Sequence, residues 1–278
     1  MGIPYRFGPI YATPEMTLLI VNLYAWVVNP KMRVMLSVVT RKELVPSIWE
    51  VVLVLNEKSK NPNKHRFLAG QYAEWMVPHN KPDSRGTRRF ITIASSPTEQ
   101  ELRIVLKLPD HPSSWKRALV KSEPPPMVMM AGLSGEFVLP QDEQTPVAFL
   151  AGGIGITPLL SMIKHMMDTK QNRDVVLVYA CSSGSEFISE KMFQEAKRFG
   201  VRTEYVITRE EGAPPGWKGN TGRVTPSMLT HLIPDFTKRT WYLSGPSAMV
   251  DGYENHLEEM GISRGSIKKD YFPGFYWC

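Results

Sequence analysis

The stretch Val147-Ala148-Phe149-Leu150-Ala151-Gly152-Gly153-Ile154-Gly155-Ile156-Thr157-Pro158 sets the architecture of the carboxyl-terminal half of the chain. Five apolar residues running directly into a glycine-rich turn predict a buried parallel strand followed by a helix. Pro158 suits the first helical turn, where its missing N–H has no intrahelical partner. The glycines would let a pyrophosphate approach the helix amino end, but a glycine turn without any ligand remains the alternative.

Strands and helices alternate downstream of this turn. Apolar runs at 175–180, 203–207 and 240–244 predict further buried parallel strands, with helical stretches between them. We therefore expect an α/β parallel-sheet nucleotide-binding domain over residues 144–278.

The pattern upstream is one of short strands separated by polar turns. Residues 34–39, 48–55, 71–77, 89–94 and 102–108 are rich in β-branched and aromatic residues, and turn-forming residues bound them. Several short strands of this kind predict a small antiparallel β-barrel over residues 31–143. The polar sequence near Glu143 is the expected boundary between two domains.

Two stretches of the predicted barrel carry groups that suit a flavin. In Arg89-Phe90-Ile91-Thr92-Ile93-Ala94-Ser95-Ser96-Pro97, Arg89 can bind phosphate and Thr92 can place a hydroxyl beside the reactive ring nitrogen. In Pro112-Ser113-Ser114-Trp115-Lys116-Arg117-Ala118-Leu119, a serine-capped helix start offers free amides to a pyrophosphate, and Lys116 or Arg117 adds charge. An ordinary strand followed by an ordinary capped helix is the alternative.

Four stretches in order resemble motifs of the ferredoxin-NADP reductase family. Residues 89–96 resemble its R-x-Y-S/T flavin motif, and residues 152–158 resemble its nucleotide loop. Tyr242-Leu243-Ser244-Gly245-Pro246-Ser247-Ala248-Met249 is similar to its C-G-P-x-x-M nicotinamide loop, and the ending Ile267-Lys268-Lys269-Asp270-Tyr271-Phe272-Pro273-Gly274-Phe275 resembles its acidic-aromatic terminus. The resemblance covers residues 33–278, and four ordered motifs carry more weight than one.

The resemblance implies a two-domain flavoenzyme with FAD and either NADH or NADPH as cofactors. It implies that Thr92, Ser244 and Asp270 surround the hydride path and act by orientation and electrostatics, because the cofactors carry the bond chemistry. The cofactor-binding residues that it implies are Arg89, Phe90, Ile91, Thr92, Val105, Lys107, Ser113, Ser114, Lys116, Gly152, Gly153, Ile154, Gly155, Thr157, Pro158, Ser182, Thr208, Gly245, Pro246, Met249 and Phe275.

The chain departs from the family pattern at three places. Ile91 stands where the family has a tyrosine whose ring lies on the flavin, so we expect Phe90 or a carboxyl-terminal aromatic such as Phe275 to replace that surface. Ser244 stands where the family has cysteine, which should alter nicotinamide positioning. The stretch 181–186 offers no arginine fork for a 2′-phosphate, which favours NADH over NADPH.

Composition excludes several classes of function. The only cysteines are Cys181 and Cys278, so four-cysteine iron–sulfur clusters are excluded, and any cluster must lie on another protein. The six histidines show no ligand spacing, so we expect no metal site. The net charge of +6 is spread without a basic run, which argues against a nucleic-acid partner, and the low cysteine content fits a cytoplasmic location.

The amino-terminal segment 1–30 leaves two interpretations open. The run 16–28 is nearly all apolar but short for a bilayer crossing, so membrane association through residues 7–28 and a plain apolar helix both fit. Residues 78–86 and 270–274 also resemble reductase domains fused behind a membrane portion similar to an integral membrane component of the Rnf electron-transport complex. In that setting the segment would be the remnant of a membrane helix, at the cytoplasmic face.

Two hypotheses about function follow from the resemblance. In the first, the protein transfers a hydride from NAD(P)H to bound FAD and passes electrons onward to an external one-electron carrier, which is either ferredoxin-like or membrane-bound. In the second, motivated by Ile91 and Ser244, it is a nucleotide-sensing or non-catalytic component of a membrane electron-transport complex. The intact flavin-side and nucleotide-side motifs favour the enzyme, because mere nucleotide binding would need only one of them.

Overall fold

Two six-stranded sheets organise the protein, whose computed structural model describes residues 33–56 and 66–272 together with Met16. The first sheet is antiparallel and the second is parallel. This arrangement confirms the predicted fold class. The expectations for the amino-terminal segment, apart from Met16, and for Phe275 concern residues outside the described part of the chain.

The antiparallel sheet has the strand order β4-β3-β6-β1-β2-β5. Helix α1 lies between β5 and β6 in the chain, and both β4 and β5 are edge strands. The elements are β1 (Val34–Val45), β2 (Ile48–Leu55), β3 (Tyr72–Met76), β4 (Arg88–Thr92), β5 (Leu102–Lys107), α1 (Ser114–Lys121) and β6 (Met127–Ser134).

Strand β6 is not among the predicted strands, although it pairs with both β1 and β3. Its burial alternates, with Val128 and Met130 inside the sheet's core and Met127 exposed. Four of its residues are methionine or glycine, which carry no β-branched signal, so its pairing partners rather than its composition make it a strand.

Two buried tryptophans hold β4 and α1 against this core. The indole N–H of Trp75 donates to the carbonyl of Ile91 at 2.8 Å, and that of Trp115 donates to the carbonyl of Trp75 at 3.3 Å. Both rings are fully buried, so each N–H needs a protein acceptor. The chain of hydrogen bonds therefore fixes the flavin-motif strand relative to the capped helix.

The parallel sheet has the order β10-β9-β8-β7-β11-β12. Strands β7 and β8 are buried along their whole length, as expected where helices cover both faces. Strands β10 and β12 also belong to it, although neither is among the predicted strands. The elements are β7 (Val147–Gly152), α2 (Thr157–Thr169), β8 (Val175–Cys181), α3 (Glu190–Ala196), β9 (Val201–Ile207), β10 (Asn220–Thr221), α4 (Pro226–Leu232), β11 (Thr240–Pro246), α5 (Ser247–Glu259) and β12 (Ile267–Phe272).

One apolar cluster crosses from the first sheet to the second and forms a buried seam. It contains Ala94, Val105 and Phe137 of the antiparallel part together with Phe149 and Tyr242 of the parallel part. Within the seam, the Ser161 hydroxyl donates to the Ser95 carbonyl at 2.6 Å, and the Tyr242 hydroxyl donates to the Val138 carbonyl at 2.6 Å. The two halves are thus joined by apolar packing and by satisfied buried carbonyls. The domain limits at 30 and 143 stay a prediction.

Among residues 33–56 and 66–272, no helix has both the length and the apolar character that a bilayer crossing requires.

Removing a seam hydroxyl should destabilise the whole molecule. Ser161→Ala and Tyr242→Phe each leave a buried carbonyl without its donor, so each should lower the free energy of unfolding by about 1–2 kcal/mol. Urea denaturation followed by circular dichroism measures the change. Thr230→Ala, which removes an exposed hydroxyl of α4, is the control and should shift stability by less than about 0.5 kcal/mol. Equal effects in all three variants would contradict a structural role for the seam.

Candidate functional site

A cavity of about 900 Å³ opens between the edge strands of the antiparallel sheet and reaches the glycine turn of the parallel sheet. Its volume is in the range of small-molecule and cofactor sites. The predicted site residues that line it are Arg89, Phe90, Ile91, Thr92, Val105, Lys107, Ser113, Lys116, Ile154, Thr157 and Asp270. Residues from several predicted motif regions therefore converge on one space.

The charge around the cavity suits an anionic ligand. Among the described residues, three arginines and three lysines line it, against the single carboxylate of Asp270. Concentrated cationic side chains and backbone amides are the usual partners of phosphate groups. The cations are Arg85, Arg88, Arg89, Lys107, Lys116 and Lys269.

Asp83 binds several groups at the phosphate end of this cavity. Its carboxylate accepts from the Arg89 guanidinium at 3.0 Å, the Arg85 amide at 3.0 Å and the Ser114 amide at 3.2 Å, while its own amide donates to the Ser114 hydroxyl. Burial by itself would raise the pKa of Asp83, but these amide hydrogen bonds and the two arginines lower it to about 2. Asp83 is therefore ionised at neutral pH and joins Arg89 to the amino end of α1.

This arrangement changes what two predicted phosphate ligands offer. Arg89 also donates to the backbone carbonyls of Arg85, Gly86 and Arg88, and both polar groups of Ser114 are occupied by Asp83. Ser113 behaves as the predicted cap, because its hydroxyl accepts from the Lys116 amide. No sequence pattern indicates the Asp83–Ser114 contacts, since they join residues 31 positions apart.

Lys116 places an amine deep in the cationic wall. Its Nζ donates to the Lys107 carbonyl at 2.6 Å. Burial, together with the nearby charges of Arg85 and Arg89, lowers the pKa of Lys116 to about 8. The charge at this position is therefore sensitive to pH just above neutrality.

The three predicted residues of the hydride path lie on neighbouring strands at the cavity. Thr92 and Asp270 line it, and Ser244 is the register partner of Asp270 on the parallel pair β11–β12. Within the described part of the chain, the buried Ser244 Oγ and Asp270 Oδ2 have no hydrogen-bond partner. Burial raises the pKa of Asp270 to about 6. Buried polar atoms without partners are rare in folded proteins and are explained by a ligand that supplies the missing hydrogen bonds.

The glycine turn has one tightly packed side and one open side. A Cβ on Gly155 would meet the Ser244 carbonyl oxygen at 2.2 Å, and one on Gly152 would meet the Met249 sulfur at 2.1 Å. Gly153 has φ +53°, and a Cβ there would meet nothing within 4 Å. Gly152 and Gly155 are thus needed for packing against β11 and Met249, whereas Gly153 presents open backbone.

Several predicted cofactor-binding residues lie outside the cavity lining. Ser182 and Thr208 follow β8 and β9, where the Ser182 hydroxyl donates to Glu186 and the Thr208 hydroxyl donates to the Cys181 carbonyl. Met249 packs beneath the glycine turn. The remaining residues outside the lining are Ser114, Gly152, Gly153, Gly155, Pro158, Gly245 and Pro246. Their roles stay predictions.

Sequence reasoning missed part of the cavity wall. Arg85 and Arg88 precede the flavin motif, and their charge next to it was the available signal. The other residues gave none, because their position depends on how β3, α1 and β12 pack. They are Tyr72, Leu106, Pro109, His111, Trp115 and Lys269.

Comparison with known proteins agrees with this geometry. A family model described as "Oxidoreductase NAD-binding domain" matches residues 149–255. The chain is 28% identical over 211 residues to the glycine betaine monooxygenase reductase subunit of Pseudomonas aeruginosa, an alignment covering 74% of this chain and 56% of the relative. The chain thus spans little more than half the length of that relative.

Solved structures share the fold. The cytochrome P450 reductase of Amycolatopsis superposes with a TM-score of 0.72 at 20% identity, over 86% of this chain and 69% of the other. A ferredoxin NADP⁺ reductase from Neisseria gonorrhoeae with bound FAD and NADP gives 0.70 at 18% identity, over 86% and 98%. The fold, the matched nucleotide domain and the cavity define this chain as an FAD- and NAD(P)-type oxidoreductase of the ferredoxin-reductase class.

The two kinds of turn glycine should respond differently to alanine. Gly155→Ala should destabilise the fold by several kcal/mol, because its Cβ would overlap the Ser244 carbonyl. Gly153→Ala should cost only about 1 kcal/mol of backbone strain yet weaken nucleotide binding, because the methyl group covers open backbone. Thermal unfolding and calorimetric titration with NADH measure both. Normal nucleotide affinity in a folded Gly153→Ala protein would remove this turn from the nucleotide site.

Lys116 should make FAD binding depend on pH. A pKa of about 8 means that Lys116 loses its proton between pH 7 and 9, so the FAD dissociation constant should rise by up to about tenfold over that interval. Lys116→Arg keeps its charge throughout and should flatten the profile, while Lys116→Met should bind weakly at every pH. Fluorescence titration of apoprotein measures it, and a wild-type profile as flat as that of Lys116→Arg would count against the role.

Asp270 should lower stability as it ionises. Its folded pKa of about 6 exceeds its ordinary value of 3.8, so the folded state binds the extra proton and stability falls as the pH rises from 4 to 6. Relative to Asp270→Asn, the wild type should lose about 3 kcal/mol across this window and change little above it. Urea denaturation at matched pH values tests this, with Asp251→Asn on the exposed side of α5 as the control. Parallel pH profiles of wild type and Asp270→Asn would be inconsistent with a buried carboxyl.

Proposed function

We propose that this protein oxidises NAD(P)H at a bound FAD and passes the electrons singly to a separate acceptor protein. The observation that carries the proposal is the single cavity in which cations, Thr92 and Asp270 face the nucleotide turn. When bound, FAD supplies the conversion between two-electron and one-electron chemistry. The proposed division of labour is a flavin-binding part at 31–143 and a nucleotide-binding part at 144–278.

The chain's own residues bind, orient and shield. Lys116, Arg85 and Arg89 hold the phosphates of the flavin cofactor, with Arg89 oriented by Asp83. Thr92, Ser244 and Asp270 surround the point where the two cofactors meet and supply hydrogen bonds there, which the unpartnered oxygens of Ser244 and Asp270 support. The apolar seam keeps water from one side of this point. Positioning at close range is the largest contribution such residues can make.

NADH is the proposed nucleotide. Support comes from the carboxylate of Glu186, which follows β8 and accepts from the Ser182 hydroxyl at 2.9 Å. In parallel α/β folds a carboxylate after the second strand favours a ribose hydroxyl and repels a 2′-phosphate. Lys107 lies 3.7 Å from Glu186, but both side chains are partly exposed, so the pair is weak.

The proposed acceptor is an oxygenase or ferredoxin-like protein. The relative in Pseudomonas aeruginosa is named as a monooxygenase reductase subunit, and a solved structure of the same fold is the ferredoxin reductase in carbazole 1,9a-dioxygenase. The finer resemblance to reductase domains behind an Rnf-like membrane portion rests on residues 78–86 and 270–274 alone. A cytoplasmic location is part of the same proposal.

A visible spectrum tests the proposal directly. Protein reconstituted with FAD should be yellow, and NADH should bleach it in stopped-flow mixing at least about tenfold faster than NADPH. Glu186→Gln should narrow that ratio, since it removes the charge that repels the 2′-phosphate. Protein that stays colourless with excess FAD sinks the proposal. Nucleotide binding to yellow protein without bleaching would instead favour the nucleotide-sensing alternative suggested by Ile91 and Ser244.

A further inference from the structure

The flavin-motif strand turns Ile91 away from the ligand side. Ile91 pairs with Ala73 across β3–β4, and residues directly opposite in an antiparallel pair point to the same side of the sheet. Ala73 and the nearby Trp75 are fully buried, and Ile91 packs against the same apolar core. Ile91 therefore contributes to the sheet's packing, and no aromatic ring stands at that position.

The opposite side of the same strand pair carries two aromatic rings. Tyr72 is the register partner of Thr92, and Phe90 lies diagonally across from Tyr72 on the same face. The rings of Tyr72 and Phe90 meet edge to face, with centroids 5.9 Å apart and planes at 85°. Both line the cavity, and Phe90 is 66% exposed, which is unusual for so large an apolar side chain.

Tyr72 is held in place by its surroundings. A Cβ on Gly135 would lie 3.2 Å from Tyr72 Cδ1 and Cε1, so the glycine lets the ring pack against the backbone of the loop after β6. Gly135 also has φ +113°, a conformation that L side chains rarely adopt. Gly135 on one side and Phe90 on another therefore restrict the orientation of the Tyr72 ring.

We propose that Tyr72, oriented by Phe90, provides the aromatic surface on which the isoalloxazine ring of the flavin rests. The inference rests on the proposed function, because it requires a flavin beside Thr92. Tyr72 stands directly opposite Thr92, so a ring whose reactive nitrogen meets the Thr92 hydroxyl lies within reach of Tyr72. Tyr72 is then a cofactor-contacting residue, and Phe90 is a positioning residue that acts through it.

The physical basis is the same as in other aromatic contacts. A planar heteroaromatic ring gains dispersion and quadrupole energy against an aromatic side chain that an isoleucine cannot supply. The edge-to-face contact with Phe90 lets Tyr72 meet its ligand in one orientation, which reduces the entropy lost on binding. The two rings thus compensate for the aromatic side chain missing at position 91.

The test uses full-length protein, freed of flavin and titrated with FAD. Tyr72→Leu should raise the FAD dissociation constant about tenfold, and Phe90→Leu should raise it about threefold. Tyr72→Phe should keep the affinity within about twofold while lengthening the fluorescence lifetime of the bound flavin, because phenol rings donate electrons to excited flavin and phenyl rings do not. Tyr253→Phe, in the parallel-sheet half, is the matched control and should leave the lifetime unchanged.

The outcomes separate this inference from the proposed function. Wild-type protein that binds no FAD overturns both. Wild-type protein that binds FAD, with unchanged affinity in Tyr72→Leu, overturns the inference alone. Weaker binding by Tyr72→Leu together with an unchanged lifetime in Tyr72→Phe also overturns it, because Tyr72 would then support the strand without touching the flavin. Weaker binding in the first variant and a longer lifetime in the second support it.

Discussion

The buried seam between the two sheets is the constraint on which the site depends. Two carbonyls of the antiparallel part, those of Ser95 and Val138, find their donors in side chains of the parallel part, Ser161 and Tyr242. Each lies beside an apolar cluster to which both halves contribute. Because leaving such carbonyls unpaired is costly, the seam disfavours sliding of one half against the other. That fixed relation brings the ends of β4 and β12 to the same cavity.

The cationic wall of the cavity shows how charge is organised before any ligand binds. Clustered cations repel one another, and this repulsion adds to burial in lowering the pKa of Lys116. Asp83 offsets part of the repulsion by binding Arg89 and the amino end of α1, so the guanidinium is oriented without a phosphate present. Such a site has already met the entropic cost of ordering its side chains, which favours ligand affinity.

The prediction of site residues succeeded where the chemistry is local and was incomplete where it is not. Arg89, Thr92, Lys116 and Asp270 stand out by residue type within their motifs, and the structure brings all four to one cavity. The glycine turn is predicted as a phosphate loop, yet two of its glycines are required by packing against Ser244 and Met249. Sequence cannot separate these reasons for a glycine, because both demand the same missing Cβ.

The two kinds of sheet and their order along the chain follow from local sequence, since the period of apolar residues and the turn chemistry are encoded over a few neighbouring positions. Strands β6, β10 and β12 do not, because segments that are rich in methionine, very short or charged become strands only through their partners. The same holds for Asp83 beside Ser114 and for Tyr72 opposite Thr92. Those contacts join residues far apart in the chain, and packing of the whole molecule selects which of them meet.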